Sequence, residues 1–166
     1  DDDLALNRVA DLAKQAMKFS AAHFTIFSAS ERERLHGHNW KVEVDIEAQM
    51  LGNGMCFDYG IYKDRVVALC RELNEWTILP TRSKHLRIEE AGEHVHAHFN
   101  GQRIPFLRGD VLLLPIENAT LEEFAYWFLQ RLCEDRDALR AHAIAAIEVR
   151  VFSGPGQSAG RRMELD

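Results

Sequence analysis

Two histidines stand one residue apart in Leu35-His36-Gly37-His38-Asn39-Trp40, at the head of a stretch of alternating polarity. On a β-strand, positions i and i+2 face the same side about 6.6 Å apart, at roughly 3.3 Å per residue. That is near enough for two imidazoles to converge on one ion. Gly37, without a side chain, leaves room on the opposite face. His23 lies in a second strand-like run and shares a face with Phe19 and Ala21, so it is the candidate third ligand. Zinc takes neutral imidazole nitrogens at about 2.0–2.1 Å and keeps one position open in catalytic sites. Three histidines plus water therefore describe a catalytic site rather than a structural one. A rival exists: His94, His96 and His98 alternate in the same way, opposite Val95, Ala97 and Phe99. A His-x-His pair is a weak signal, and spacing alone does not rank the two clusters. The second cluster belongs to a hairpin beside a polar loop, which argues for a solvated face.

The elements that must position these residues follow from the polarity pattern. Residues 17–27 read as a strand and 28–34, Ser-Ala-Ser-Glu-Arg-Glu-Arg, as a polar loop. Residues 36–48 read as a strand with Trp40, Val42, Val44 and Ile46 on one face and Lys41, Glu43, Asp45 and Glu47 on the other. Its parity puts His36 and His38 in line with the apolar face. Gly52-Asn53-Gly54 marks a turn. Asp58 is a candidate cap for a helix over 61–74, whose stripe is Val66, Leu69, Cys70 and Leu73. Residues 86–106 read as a hairpin turning at Asn100-Gly101, and 111–116 as a buried strand. Thr120 opens a second helix with Glu123 at the N3 position of a capping box. Its stripe is Phe124, Trp127, Phe128 and Leu132. Residues 146–152 read as the last strand, before a break at 153–158. The order β-β-α-β-β-α-β on one sheet implies an α+β layer with two helices over one sheet face. Residues 4–16 read as a short amphipathic helix or an irregular lead-in. The expected organisation is a lead-in over 1–16 and a single domain over 17–166.

With 166 residues the chain is long enough for one full core. It is 46% hydrophobic and 28% charged, as in globular proteins. A net charge of -6 argues against a general nucleic-acid or acidic-membrane binder. No apolar run approaches the roughly 18 residues of a transmembrane helix, and the acidic start does not look like a signal peptide. Cys56, Cys70 and Cys133 form no CxxC and suggest no disulfide framework. A reducing cytoplasm is the expected setting.

Several segments are then read together: FSAAHF (19–24), LHGHNW (35–40), GMCFDYGIYK (54–63), LNEWTILPT (73–81), NATLEEFAYWF (118–128) and PGQSA (155–159). In this order, over most of residues 17–160, they resemble the 6-pyruvoyl-tetrahydropterin synthase / 6-carboxytetrahydropterin synthase family. Each piece is unspecific; the combination is not. The resemblance implies a tunnelling fold, a four-stranded antiparallel sheet with two helices on one side. Such subunits form trimers whose sheets close a barrel, usually stacked as hexamers, which would cover open sheet edges. It also implies a small pterin-like substrate bound between subunits, and zinc held by His23, His36 and His38. The 94–98 cluster then falls to surface status.

The match departs from the family at its catalytic set. The usual cysteine a few residues before His-Gly-His is missing from residues 28–34. Some family variants use glutamate there, which makes Glu31 and Glu33 candidates, against the alternative that both are solvated loop charges. The family's Asp-His pair reads Asn74-Glu75, leaving Glu75 as a candidate acid/base group or a surface residue. Ser153 stands where a glutamate usually anchors the pterin, and a serine cannot pair bidentately with the ring. Thr120 matches a position beside the pterin, although helix capping alone explains it. The implied activity is a zinc-dependent lyase acting on a reduced pterin such as 7,8-dihydroneopterin triphosphate. Elimination of triphosphate is the parent reaction, and side-chain cleavage of the aldolase type is open to a glutamate variant. The alternative is a zinc-containing binding protein of the same fold that has lost the chemistry.

Overall fold

A computed structural model describes residues 17–49 and 57–165, and the backbone of residues 7–12. The expected turn at 52–54, and Cys56, lie outside these. The long alternating stretch is a single strand, β3 (His36–Ala48), and it organises the sheet. Its inward residues Trp40, Val42, Val44 and Ile46 are all at most 1% exposed, as period-2 geometry demands when one face is covered.

Antiparallel partners flank β3. On one side β2 (Lys18–His23) pairs with its first half, and β1 (Asn7–Leu12) with its second. On the other side lies β9 (Ile144–Gly154), which is followed by β10 (Gln157–Glu164). β2, β3 and β9 are the antiparallel strands expected from 17–27, 36–48 and 146–152, whereas β1 and β10 are additions to that reading. Two more extend the sheet past β2 in parallel: β4 (Trp76–Pro80) and β8 (Val111–Leu114). Residues 7–12 are thus a strand, not the helix or irregular segment that 4–16 suggested.

Helices α1 (Gly60–Leu73) and α2 (Leu121–Leu132) bury the expected stripes in one core with the inward faces of β2, β3 and β9. The cap position of α1 is Tyr59 rather than the expected Asp58, which lies one residue earlier and accepts from the Gly60 amide at 2.9 Å. Thr120 caps α2 by accepting from Glu123 N at 3.2 Å. The returning arm of the capping box differs from expectation: Glu123 Oε1 accepts from Glu117 N at 2.9 Å, not from the cap residue. A short helix, α3 (Arg136–Ala141), leads into β9. None of the described helices is long and apolar enough to cross a membrane.

The segment read as a hairpin on the same sheet is a separate three-stranded meander: β5 (Arg87–Ala91), β6 (His94–Phe99) and β7 (Gln102–Leu107). Its second turn is where Asn100-Gly101 placed it. Both residues have positive φ, 48° and 73°, the conformation a two-residue type I′ turn requires. The meander packs Val95, Ala97 and Phe99 on Phe24, Ile26, Leu79 and Val111, a second small core.

Candidate metal centre

Strand register brings three histidines together. His23, the last residue of β2, pairs directly with His36, the first of β3. Residues opposite one another in an antiparallel pair share a face, and His38 follows on that face two residues along. One ligand nitrogen from each lies within 4.8 Å of the others. The glycine between them is not sterically required, since a Cβ at Gly37 would meet the Ala21 carbonyl at an ordinary 3.5 Å.

Aromatic packing makes the floor rigid. The Trp40 ring lies 4.8 Å from His23 and 5.0 Å from His38, edge to face. Trp40 itself stacks on Phe19 and meets the Phe124 edge of α2. Its indole N–H donates to the Ala21 carbonyl at 3.1 Å, so the burial of Trp40 leaves no donor unpaired.

Each outer nitrogen is fixed by a backbone carbonyl where one is present. His23 Nδ1 donates to Ala119 O at 2.8 Å and His36 Nδ1 donates to Arg34 O at 2.6 Å. A carbonyl accepts only from N–H, so when either ring is neutral its lone pair sits on Nε2. His23 is 4% exposed, and its Nε2 is buried with no hydrogen-bond partner. A buried acceptor left unpaired is costly unless something electrophilic meets it. His36 Nε2 lies 2.9 Å from His38 Nε2, two nitrogens converging on one point. These features fit a divalent cation such as zinc, with second-sphere carbonyls setting two tautomers. Burial holds the pKa of His23 below its ordinary value, against the Ala119 hydrogen bond and Glu33. His38 is also lowered, by burial and by His36. Both rings are therefore neutral, the ligating form, at pH 7.

The loop before β3 delivers one carboxylate to this cluster. Glu33 and Thr25 are paired twice: Glu33 N donates to Thr25 O at 2.8 Å, and Thr25 N donates to Glu33 Oε1 at 2.8 Å. The second oxygen, Oε2, lies 4.0 Å from His36 Nε2. Burial pushes the Glu33 carboxyl up, but hydrogen bonds from the Thr25 side chain and amide and the fields of His23 and His36 outweigh it and hold it below the usual range. Arg32 anchors the loop, with its guanidinium 5.0 Å over the Phe24 ring.

The other expected site residues fall elsewhere within this chain. Glu31 has an exposed side chain; its carbonyl closes a turn with the amides of Phe27 and Ser28. Glu75 is exposed at the turn between α1 and β4, with φ 68°, and its amide donates to Ser20 O. Ser153 is near the end of β9, where its hydroxyl donates to Gln157 Oε1 at 3.1 Å. Thr120 lines a cleft of about 350 Å³ with Asn118, Phe27 and His85.

Sequence reasoning gave no role to Thr25, Asn118 or the Ala119 carbonyl. Asn118 clamps the chain after His23: its amide donates to Ile26 O at 2.8 Å and its oxygen accepts from Ile26 N at 3.1 Å. Thr25 Oγ1 joins His23 on the Ala119 carbonyl at 3.2 Å. The Asn-Ala-Thr triplet before α2 was the available signal, but its contacts span more than 90 residues.

A sequence model of the 6-pyruvoyl tetrahydropterin synthase family matches residues 12–164, and the chain belongs to that family. A Pyrococcus horikoshii protein provisionally named 6-carboxy-5,6,7,8-tetrahydropterin synthase is 30% identical over 142 residues, covering 83% of this chain and 81% of the relative. A Methanocaldococcus jannaschii protein with the same provisional name is 29% identical over 151 residues, covering 90% and 92%. The structure of 6-pyruvoyl tetrahydropterin synthase from Plasmodium vivax superposes with a TM-score of 0.87 at 29% identity, over 96% of this chain and 100% of that one. The Plasmodium falciparum enzyme gives 0.88 at 28%, with the same coverage. The tunnelling fold expected from the sequence is the fold observed. Family and relatives together make this a pterin-related synthase or lyase.

Proposed function

We propose that the protein is a zinc-dependent lyase acting on a reduced pterin such as 7,8-dihydroneopterin triphosphate, with Glu33 in place of the usual cysteine. The carrying observation is the Glu33 carboxylate beside His23, His36 and His38, held by the Thr25 amide. Zinc, when bound by the three histidines, supplies Lewis acidity that polarises a hydroxyl or carbonyl of the pterin side chain. Glu33 is ionised at neutral pH and is the base that takes the side-chain proton. The Thr25 amide occupies one carboxylate oxygen and leaves the other to face the histidines. Two Plasmodium vivax structures are of mutants in which a catalytic glutamate is replaced by alanine or cysteine, which supports a glutamate in this role.

Thr120 and the cleft beside it are the proposed substrate contact, and Ser153 a weaker one. Glu31 and Glu75 remain second choices, Glu75 as a group offered to a neighbouring subunit's site. The assembly proposed is a homotrimer or a hexamer, in a reducing cytoplasm consistent with the free, buried Cys70 and Cys133.

Glu33 being the one carboxylate that the described residues of a single chain set beside the histidines favours a second outcome on the same substrate. Elimination with internal redox moves protons at two carbons, whereas aldol-type cleavage needs one base. That base takes a hydroxyl proton, the adjacent C–C bond breaks to give an aldehyde, and the proton returns to carbon on the pterin. The remaining alternative is a zinc-containing binding protein without pterin chemistry, favoured by Ser153 standing where a carboxylate would anchor the ring.

Incubating the zinc-loaded protein with 7,8-dihydroneopterin triphosphate and separating the products by mass spectrometry tests all three. Free triphosphate marks elimination, and a phosphorylated two-carbon aldehyde marks C–C cleavage. Unchanged substrate overturns the enzymatic reading.

A further inference from the structure

The second histidine run has its own geometry. β6 turns Val95, Ala97 and Phe99 into the small core, which leaves His94, His96 and His98 on the outer face. The β5–β6 register sets Glu89 directly across from His96. Glu89 Oε1 lies 3.2 Å from His96 Nδ1 and 3.2 Å from His98 Nε2. One donor atom from each of the three groups lies within 4.8 Å of the others. We propose that Glu89, His96 and His98 form a second binding site for a divalent transition cation, separate from the His23–His36–His38 centre.

Two imidazoles and a carboxylate suit zinc, nickel or copper rather than magnesium or calcium, which prefer oxygen donors. The imidazoles are seated: the side chains of His96 and His98 are 17% and 26% exposed, and Glu89 is 46% exposed. Water has access on the carboxylate side to complete the coordination. The strand beneath is pinned by Val95 at 2% and Ala97 at 0% exposure, so the two rings do not have to be ordered on binding. Arg87 and Arg103 both lie opposite His98, on β5 and β7, and their charge makes this the weaker of the two sites. His94 is next along the same face, its ring 6.1 Å from that of His96. A bound cation ties β5 to β6 through side chains as well as through the ladder.

Zinc binding to the chelator-stripped full chain, read by equilibrium dialysis with elemental analysis, tests the proposal. Wild type should bind two zinc ions per chain. His96→Ala and Glu89→Gln should each bind one, the tight one, with an unchanged melting curve in the metal-free state. Loss of an outer-sphere partner costs 10–100-fold in metal affinity, so loss of a ligand here should raise the weaker dissociation constant by at least about 100-fold. His36→Ala should keep the weaker ion. A wild type that binds one ion lost in His36→Ala, or variants of Glu89 and His96 that still bind two, would overturn the second site. One ion lost in His96→Ala but kept in His36→Ala would instead overturn the first centre and leave this one standing.

Discussion

A histidine becomes a ligand when something else decides which nitrogen is bare. In this protein two backbone carbonyls make that decision, Ala119 O for His23 and Arg34 O for His36. Strand parity paired His36 with His38, but the 94–98 run offered the same spacing, so the His23–His36–His38 set was legible as the candidate site only through the family resemblance. The carbonyls were not, since Ala119 lies 96 residues from His23. Nor did periodicity separate Glu31 from Glu33, two positions apart in a loop with no repeating pattern. What separates them is the Thr25 amide. Glu33→Gln should therefore keep the metal and lose about 10²–10⁴-fold in turnover, while Glu31→Gln stays within a few-fold. Steady-state rates set beside metal content check this, and an active Glu33→Gln enzyme would move the base elsewhere. The buried His23 also sets a pH dependence. Its folded pKa is lowered from 6.5, so the unfolded chain takes up the proton first as pH falls. Stability of the metal-free protein is then full above pH 6.5 and declines below it. Thermal melts of the stripped protein at several pH values between 7.5 and 5 should show the midpoint falling, and a flat series would contradict the assignment.

At the level of elements, what could be read was what alternates or caps. β3 runs over the residues its polarity assigned, and α2 begins after Thr120 as its side chain required. The elements missed lack such a pattern. β10 has no buried residue and carries serine, glycine and arginine, so only its pairing with β9 makes it a strand. β4 follows α1 with Glu75 alone supplying a left-handed φ of 68°, a turn signal that glutamate does not advertise. The meander was read as one hairpin because the Asn-Gly turn outshone the one at Gly92, whose φ is 62°. The α2 cap joins fold to site, since the residue before it holds His23. Thr120→Ala should cost about 1 kcal/mol, the typical value of an N-cap, measured by denaturant unfolding. It should also weaken metal binding, because fraying of the first turn moves the Ala119 carbonyl. A destabilised variant with unchanged metal affinity would show that His23 is held by its buried surroundings alone.

For the whole molecule, the question is how a strongly twisted sheet manages its ends. Along the second half of β3 the order is β10–β9–β3–β1, four antiparallel strands with β10 and β1 outermost among the described residues. Unpaired edges invite another chain, and natural proteins blunt, cover or pair them. β10 carries Arg161 and Arg162, but Arg162 is engaged by Glu47 at 2.7 Å, so its charge is turned back onto the sheet rather than guarding the edge. Large apolar side chains also remain outside: Phe27 at 66% and Leu35 at 46% exposure flank the loop that carries Glu33. Edge pairing between copies would close the sheet into a barrel, and a neighbouring subunit would cover the loop and exclude water from the histidines. The 19.0 kDa chain should therefore run in native mass spectrometry as a trimer or hexamer, with turnover falling on dilution in step with dissociation. A monomer that keeps full activity at nanomolar concentration would show that one chain completes the site, and would make Glu33 sufficient without any group from a second copy.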